Sequence, residues 1–155
     1  MIFSHSSCYD VAKHTRNAND EQIKALAAKG GVICLCPHSV MCNEDQSTWP
    51  TVDRYIDHIA HVADLVGIDY IGIGTDRWKR PTLDYLMGRV EFERTCPNWF
   101  GKFDGNQKHV QGFNYFDEWD NLVDHMLARG FGQADIEKVL GGNLMRVFRQ
   151  VWDKK

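Results

Sequence analysis

The chain has 155 residues, a formal net charge of −3 and a pI near 6.1, with 43% hydrophobic and 25% charged residues. This length and composition predict one compact domain, residues 1–155. A nucleic-acid-binding face needs clustered basic residues, and the most basic run, at Arg77, Lys79 and Arg80, is too short to form one. No apolar run approaches the roughly 18 residues that span a bilayer, and no secretory leader is visible. We therefore expect a cytoplasmic protein without a membrane span.

The cysteines are odd in number and include no C-x-x-C pair. They stand at Cys8, Cys34, Cys36, Cys42 and Cys96. A structural zinc site needs four ligands at recognisable spacing, and this pattern does not supply them. We interpret the cysteines as reduced, buried thiols.

The first half of the chain predicts strands that alternate with helices. In order, these are a strand at Met1–Ser4, a helix at Glu21–Lys29, a strand at Val32–Cys36, a helix at Val52–Val66 and a strand at Tyr70–Asp76. Asp20 and Thr51 are expected to cap the two helices. Such a β-α-β-α-β order is typical of parallel strands joined by helical crossovers.

The pattern changes after the third strand. Residues 77–112 are aromatic and polar and predict a long loop or lid, with a short helix around Leu83 to Phe92. The chain then predicts three C-terminal helices, at Phe116–Arg129, Gln133–Leu140 and Asn143–Trp152.

Polar side chains follow the first and third strands. His5 comes at the end of the first strand, Asp76 at the end of the third, and Arg16 in the loop after the first. Because neighbouring parallel strands end at the same edge of a sheet, these side chains could converge there. An imidazole beside a carboxylate suits a metal site or a general base, and a guanidinium can bind a carboxylate with two hydrogen bonds.

Structural interpretations of the same residues stay open. Asp76 could cap a loop or the next helix, His5 could be a structural histidine, and Arg16 could be a solvated loop residue. His58 and His61 lie three apart on a helix, but we place that helix in the outer layer, away from a metal site. His38 follows the second strand and could border a pocket.

Several stretches together resemble the C-terminal half of the membrane (renal) dipeptidase family, the M19 metallopeptidases. They are IFSHSS at 2–7, RN at 16–17, DEQIKALAAKGGVI at 20–33, VDRYIDHIAHVADLVGIDYIGIGTD at 52–76 and LARGFGQADIEKVLGGNLMRVF at 127–148. Their order and spacing fit the family across most of the chain outside residues 77–112.

The resemblance implies a (β/α)8 TIM-type barrel with a binuclear zinc centre that hydrolyses dipeptides. It implies that His5 is a zinc ligand, that Arg16 holds the terminal carboxylate of the substrate, and that Asp76 binds substrate and moves a proton at the reacting centre. The zinc ions would lower the pKa of a bridging water.

The chain also departs from the family pattern. The other metal ligands of the family would precede Met1, and the three predicted strands match the last three strands of the barrel. Where many relatives read Phe-Asp-Gly after Asp76, this chain reads Arg77-Trp78-Lys79. We therefore expect a partial barrel that is inactive alone and that self-associates or pairs with a missing N-terminal half. A non-catalytic half-barrel binding module and an amidohydrolase acting on another amide are the alternatives.

Overall fold

The computed structural model describes residues 1–77, 90–91, 94–95, 102–103 and 105–153. Cys96, and the short helix predicted around Leu83 to Phe92 apart from residues 90 and 91, lie outside the described residues. Within the described part of the chain, no helix is both long and apolar enough to cross a bilayer.

Three parallel strands form the sheet, in the order β1-β2-β3. They are β1 at Ile2–Ser6, β2 at Val32–Leu35 and β3 at Ile71–Ile73. The predicted parallel sheet with helical crossovers is confirmed. The predicted third strand is too long: Tyr70 ends a 3-10 turn, Ile68–Tyr70, and Asp76 lies three residues beyond β3.

A bulge interrupts the pairing of β1 with β2. Phe3 pairs with Ile33 and Ser6 pairs with Leu35, so that two residues of β1, Ser4 and His5, lie opposite a single residue of β2. A bulge of this kind bends the strand and redirects its side chains. Because β1 extends to Ser6, His5 lies inside the strand, whereas the sequence predicts that the strand ends at Ser4.

Three helices lie between the strands: α1 at Asp20–Ala28, α2 at Ser39–Cys42 and α3 at Val52–Val66. The predicted cap of α1 is wrong by one residue. Asn19 is the N-cap, because its side chain accepts the Gln22 N–H while the Gln22 side chain accepts the Asn19 N–H. The predicted bounds of α3 are confirmed, and α2 falls in a stretch that the sequence predicts as loop.

The chain ends in three further helices: α4 at Trp119–Ala128, α5 at Gln133–Glu137 and α6 at Asn143–Trp152. α4 begins later than predicted, because the Glu118 carboxylate accepts the backbone N–H groups of Asn114 and Tyr115 and so closes a turn there. A π-helical turn at Lys138–Gly142 joins α5 to α6.

Apolar side chains cover both faces of the sheet. On one face, Ile33 and Ile71 belong to the main core with Tyr55 and Ile59 of α3. On the other face, Val147 of α6 packs against Val32 and Cys34 of β2, with Ile2 and Leu144 beside them. The four described cysteines are free and buried, as predicted.

Candidate functional site

The candidate site lies where the three strands end at their carboxyl side. Ser6 of β1, Leu35 of β2 and Ile73 of β3 are level with one another in the sheet. His5 immediately precedes this level and Asp76 follows it, so the two predicted residues belong to the same end of the sheet. Parallel α/β folds bind their ligands at this end.

Arg16 belongs to the same end of the sheet. The Ser6 hydroxyl donates to the Arg16 carbonyl over 2.8 Å, which ties the loop to the end of β1. Asn17 then donates to the carbonyls of Ala12 and Met41, at 2.8 Å each. The positive charge of Arg16 contributes to lowering the pKa of His38, which follows β2. The loop after β1 thus lies against the residues that follow β2.

Asp76 has an unusual backbone conformation. It is the non-glycine residue with positive φ, 46°, among the residues that the structure describes. Asp tolerates the left-handed region better than most residues, yet such a conformation has to be held by its surroundings. Lys108 supplies the contact: its Nζ donates to the Asp76 carbonyl over 2.7 Å and lies 3.8 Å from Asp76 Oδ2.

Two neutral histidines lie beside this ion pair. His109 Nε2 donates to the Thr75 carbonyl over 2.8 Å, and the His38 and His109 ring centroids are 5.8 Å apart. Burial, with the charges of Lys108 and Arg77, lowers the pKa of His109 to about 3. Burial first, and then the neighbouring charges, lower the pKa of His38 well below its usual value. Both imidazoles are therefore uncharged near neutral pH.

Lys108 and His109 belong to residues 105–116, which we call the return segment. Its backbone pairs with the chain around α2, since Val110 N donates to the Pro37 carbonyl and Ser39 N donates to the Lys108 carbonyl, both over 2.9 Å. Sequence reasoning treats this stretch as loop and misses both residues. No local signal marks them, because their partners are more than 30 positions earlier in the chain.

Arg77 is half-buried and contacts the return segment. Its guanidinium lies 4.2 Å from the centre of the Phe113 ring and donates to the Phe113 and Tyr115 carbonyls. Burial lowers the pKa of Arg77. Arg77, the first residue at which the chain departs from the family pattern, therefore fixes the return segment to the chain after β3.

His5 is exposed, and its Nδ1 lies 2.7 Å from the Ser4 hydroxyl. In the described ranges, no three His, Cys, Asp or Glu side chains form a group that could hold a metal ion. These side chains alone therefore do not fit a pair of zinc ions, each of which normally takes about three protein ligands.

His58 and His61 have structural partners. His58 is fully buried on the packed face of α3. Its Nδ1 accepts the Cys8 N–H over 3.0 Å, while His61 Nε2 lies 2.6 Å from Asp20 Oδ1.

Comparison with known proteins identifies the family. The sequence model of the family described as "Membrane dipeptidase (Peptidase family M19)" matches residues 1–79 and 100–155. The chain belongs to this family. The M19 resemblance inferred from the sequence is thereby confirmed.

One relative and two solved structures show what else the chain is similar to. The dipeptidase tcpJ of Claviceps purpurea is 32% identical over 153 residues, which are 99% of this chain and 30% of that protein. An amidohydrolase from Pseudomonas aeruginosa is 29% identical, with a TM-score of 0.82 over 99% of this chain and 46% of its own. A metallopeptidase from Rhodobacter sphaeroides, liganded with a phosphinate mimic of the dipeptide L-Ala-D-Ala, shares the fold at 20% identity, with a TM-score of 0.69 over 92% of this chain and 34% of its own. The chain thus spans less than half the length of each.

Proposed function

We propose that this chain is the C-terminal part of a zinc-dependent dipeptidase, a single domain that supplies the last three strands of a (β/α)8 barrel. The observation that carries the proposal is the common end of the parallel sheet, to which His5, Arg16 and Asp76 belong in a chain of this family. In a TIM barrel this is the end that holds the active site.

Arg16 is proposed to bind the terminal carboxylate of a dipeptide. A guanidinium matches a carboxylate with two parallel hydrogen bonds, each stronger than a bond between neutral groups. The Ser6 bond to the Arg16 carbonyl and the three bonds from Asn17 to neighbouring carbonyls fix the backbone of this loop. A fixed backbone reduces the conformational freedom that Arg16 would lose on binding.

Asp76 is proposed to contact the substrate and to transfer a proton at the reacting centre. Its carboxylate is about one third exposed and so remains accessible from solvent. The neighbouring imidazoles of His38 and His109 are buried and uncharged near neutral pH, whereas the Asp76 carboxylate can be reached by a substrate.

His5 is proposed to bind zinc together with ligands outside this polypeptide. One imidazole cannot hold two zinc ions, so activity would require association with a missing N-terminal half or with another copy of the chain. β1 and β3 each have an unpaired side within the described sheet, and strand pairing there would extend it toward a barrel.

A second candidate is an amidohydrolase that cleaves another amide. The likeness to the Pseudomonas aeruginosa amidohydrolase favours it, since that fold agrees with this chain at a TM-score of 0.82. Both candidates use the same residues, and they differ in whether the substrate carries a free carboxylate next to the cleaved bond.

The test is an activity assay in two preparations. The purified chain with Zn²⁺ is given L-Ala-D-Ala, and the same chain is co-expressed with the N-terminal part of the Pseudomonas aeruginosa amidohydrolase and assayed identically. His5→Ala is the site variant, and Lys13→Ala, at an exposed position of the loop after β1, is the matched control. Bound zinc is measured in each preparation.

We expect no turnover by the chain alone, and dipeptide hydrolysis with bound zinc in the assembled pair. His5→Ala should remove both, and Lys13→Ala should change neither. A zinc-loaded pair that cleaves acylated amines but not dipeptides would support the second candidate. Turnover by the isolated chain above its His5→Ala variant would contradict the requirement for a partner.

A further inference from the structure

The return segment binds three consecutive residues after β3. His109 donates to the Thr75 carbonyl, and Lys108 donates to the Asp76 carbonyl. Arg77 donates to the carbonyls of Phe113 and Tyr115. The backbone that carries Asp76 is therefore held before, at and after that residue by one stretch of chain.

Lys108 itself is well fixed. Its side chain is only 13% exposed, which is unusual for a lysine. The backbone on both sides of it is paired with the chain around α2, through Ser39 N to the Lys108 carbonyl and Val110 N to the Pro37 carbonyl. The Ser39 hydroxyl also donates to the Gln107 carbonyl over 2.6 Å. A lysine on such a support presents its ammonium group at a defined place.

The same ammonium group serves the backbone and the carboxylate of Asp76. Its distance is 2.7 Å to the carbonyl oxygen and 3.8 Å to Oδ2. With φ at 46°, Asp76 has turned into the left-handed region, where its carbonyl and its carboxylate can both approach one cation. Loss of the ammonium group would release both interactions together.

We propose that Lys108 is a positioning residue for Asp76: its ammonium group holds the left-handed backbone and the carboxylate in one orientation at the end of β3. This rests on the proposed function, in which the Asp76 carboxylate transfers a proton and must keep a fixed direction toward the reacting atoms. Lys108 does not contact the substrate in this proposal.

The test follows the NMR signals of Asp76, so that it does not depend on turnover. The 13Cα signal reports the backbone conformation of Asp76, and the 13Cγ signal reports the surroundings of its carboxylate. Both are compared at pH 7 in the wild-type chain, in Lys108→Met and in Lys108→Arg. Lys24→Met, at an exposed position of α1, is the matched control.

We expect Lys108→Met to shift both signals by more than their line width, with 13Cα moving away from the left-handed range. Lys108→Arg should restore the wild-type 13Cα position, because it keeps the cation, and Lys24→Met should change neither signal. Asp76 signals in folded Lys108→Met that coincide with those of the wild type would overturn the proposal.

A reciprocal variant covers the case in which Lys108→Met does not fold. Asp76→Asn keeps the shape of the side chain and removes its charge, at a residue that is partly exposed. The 13Cε signal of Lys108 should then shift, and an unchanged signal would overturn the proposal. Failure of the dipeptidase assay with these shifts present would refute the function and leave the contact intact, so the two failures are distinguishable.

Discussion

Gly74→Ala tests the curvature that brings the end of β1 toward β3. A methyl group at Gly74 would overlap the carbonyl oxygen of Ser4 and would lie 2.9 Å from Cys34 Cβ. Real Cβ atoms essentially never come this close, and the first obstacle is backbone, which has little freedom to move. Overpacking of this kind costs about 3 kcal/mol. We expect the free energy of unfolding to fall by about that amount.

Urea unfolding followed by circular dichroism measures the change, with Gly130→Ala as the control. Gly130 also has a special conformation, with φ at 87°, but nothing lies within 4 Å of the position that an added methyl group would occupy. Its substitution should cost about 1 kcal/mol, through backbone conformation alone. If Gly74→Ala cost no more than Gly130→Ala, the bulged strand would not approach β3, and the shared end of the sheet would have to be reconsidered.

Three further changes test the fold that supports the site. Asn19→Ala removes the side-chain oxygen that accepts the Gln22 N–H and should lower the free energy of unfolding by about 1 kcal/mol in the same urea assay. Asn143→Leu removes the buried amide that donates to the carbonyls of Ile68 and Ile71 and should cost about 2 to 3 kcal/mol, whereas a cost near zero would contradict those bonds. Burial lowers the pKa of His58 from 6.5 to about 4, so the unfolded chain takes up its proton first as the pH falls, and stability is lost between those values. Between pH 6.5 and about 4, the slope of the free energy of unfolding against pH should be smaller in His58→Asn by about 1.4 kcal/mol per pH unit. An unchanged slope would refute the lowered pKa of His58.

The fold is predictable where local patterns decide it. The apolar stripe of α3, followed by Gly67, predicts its observed bounds, and the alternation with short strands predicts the parallel sheet. The end of β3 is not predictable in the same way. Tyr70 has the composition of a strand residue, but its backbone N–H bonds back to the Gly67 carbonyl in a tight turn.

The site is predictable only in part, for the same physical reason. His5 lies near the end of β1, Arg16 in the loop after β1, and Asp76 after β3, and strand order places all three at one end of the sheet. Lys108 and His109 come from a segment whose position depends on bonds to residues around α2, far away in the chain. Periodicity and turn signals report local preferences, so they contain no information about such contacts.

Recognition of a free carboxylate by Arg16 tests the central claim most directly. In the pair assembled with the N-terminal part of the Pseudomonas aeruginosa amidohydrolase, kcat/KM is compared for L-Ala-D-Ala and for the same dipeptide with its terminal carboxylate converted to an amide. A charge-assisted contact of about 1.5 to 3 kcal/mol predicts a preference of roughly 10- to 100-fold for the free carboxylate, and Arg16→Ala should abolish it. An assembled enzyme that cleaves both substrates equally, or that keeps its preference in Arg16→Ala, would contradict the dipeptidase assignment of this site.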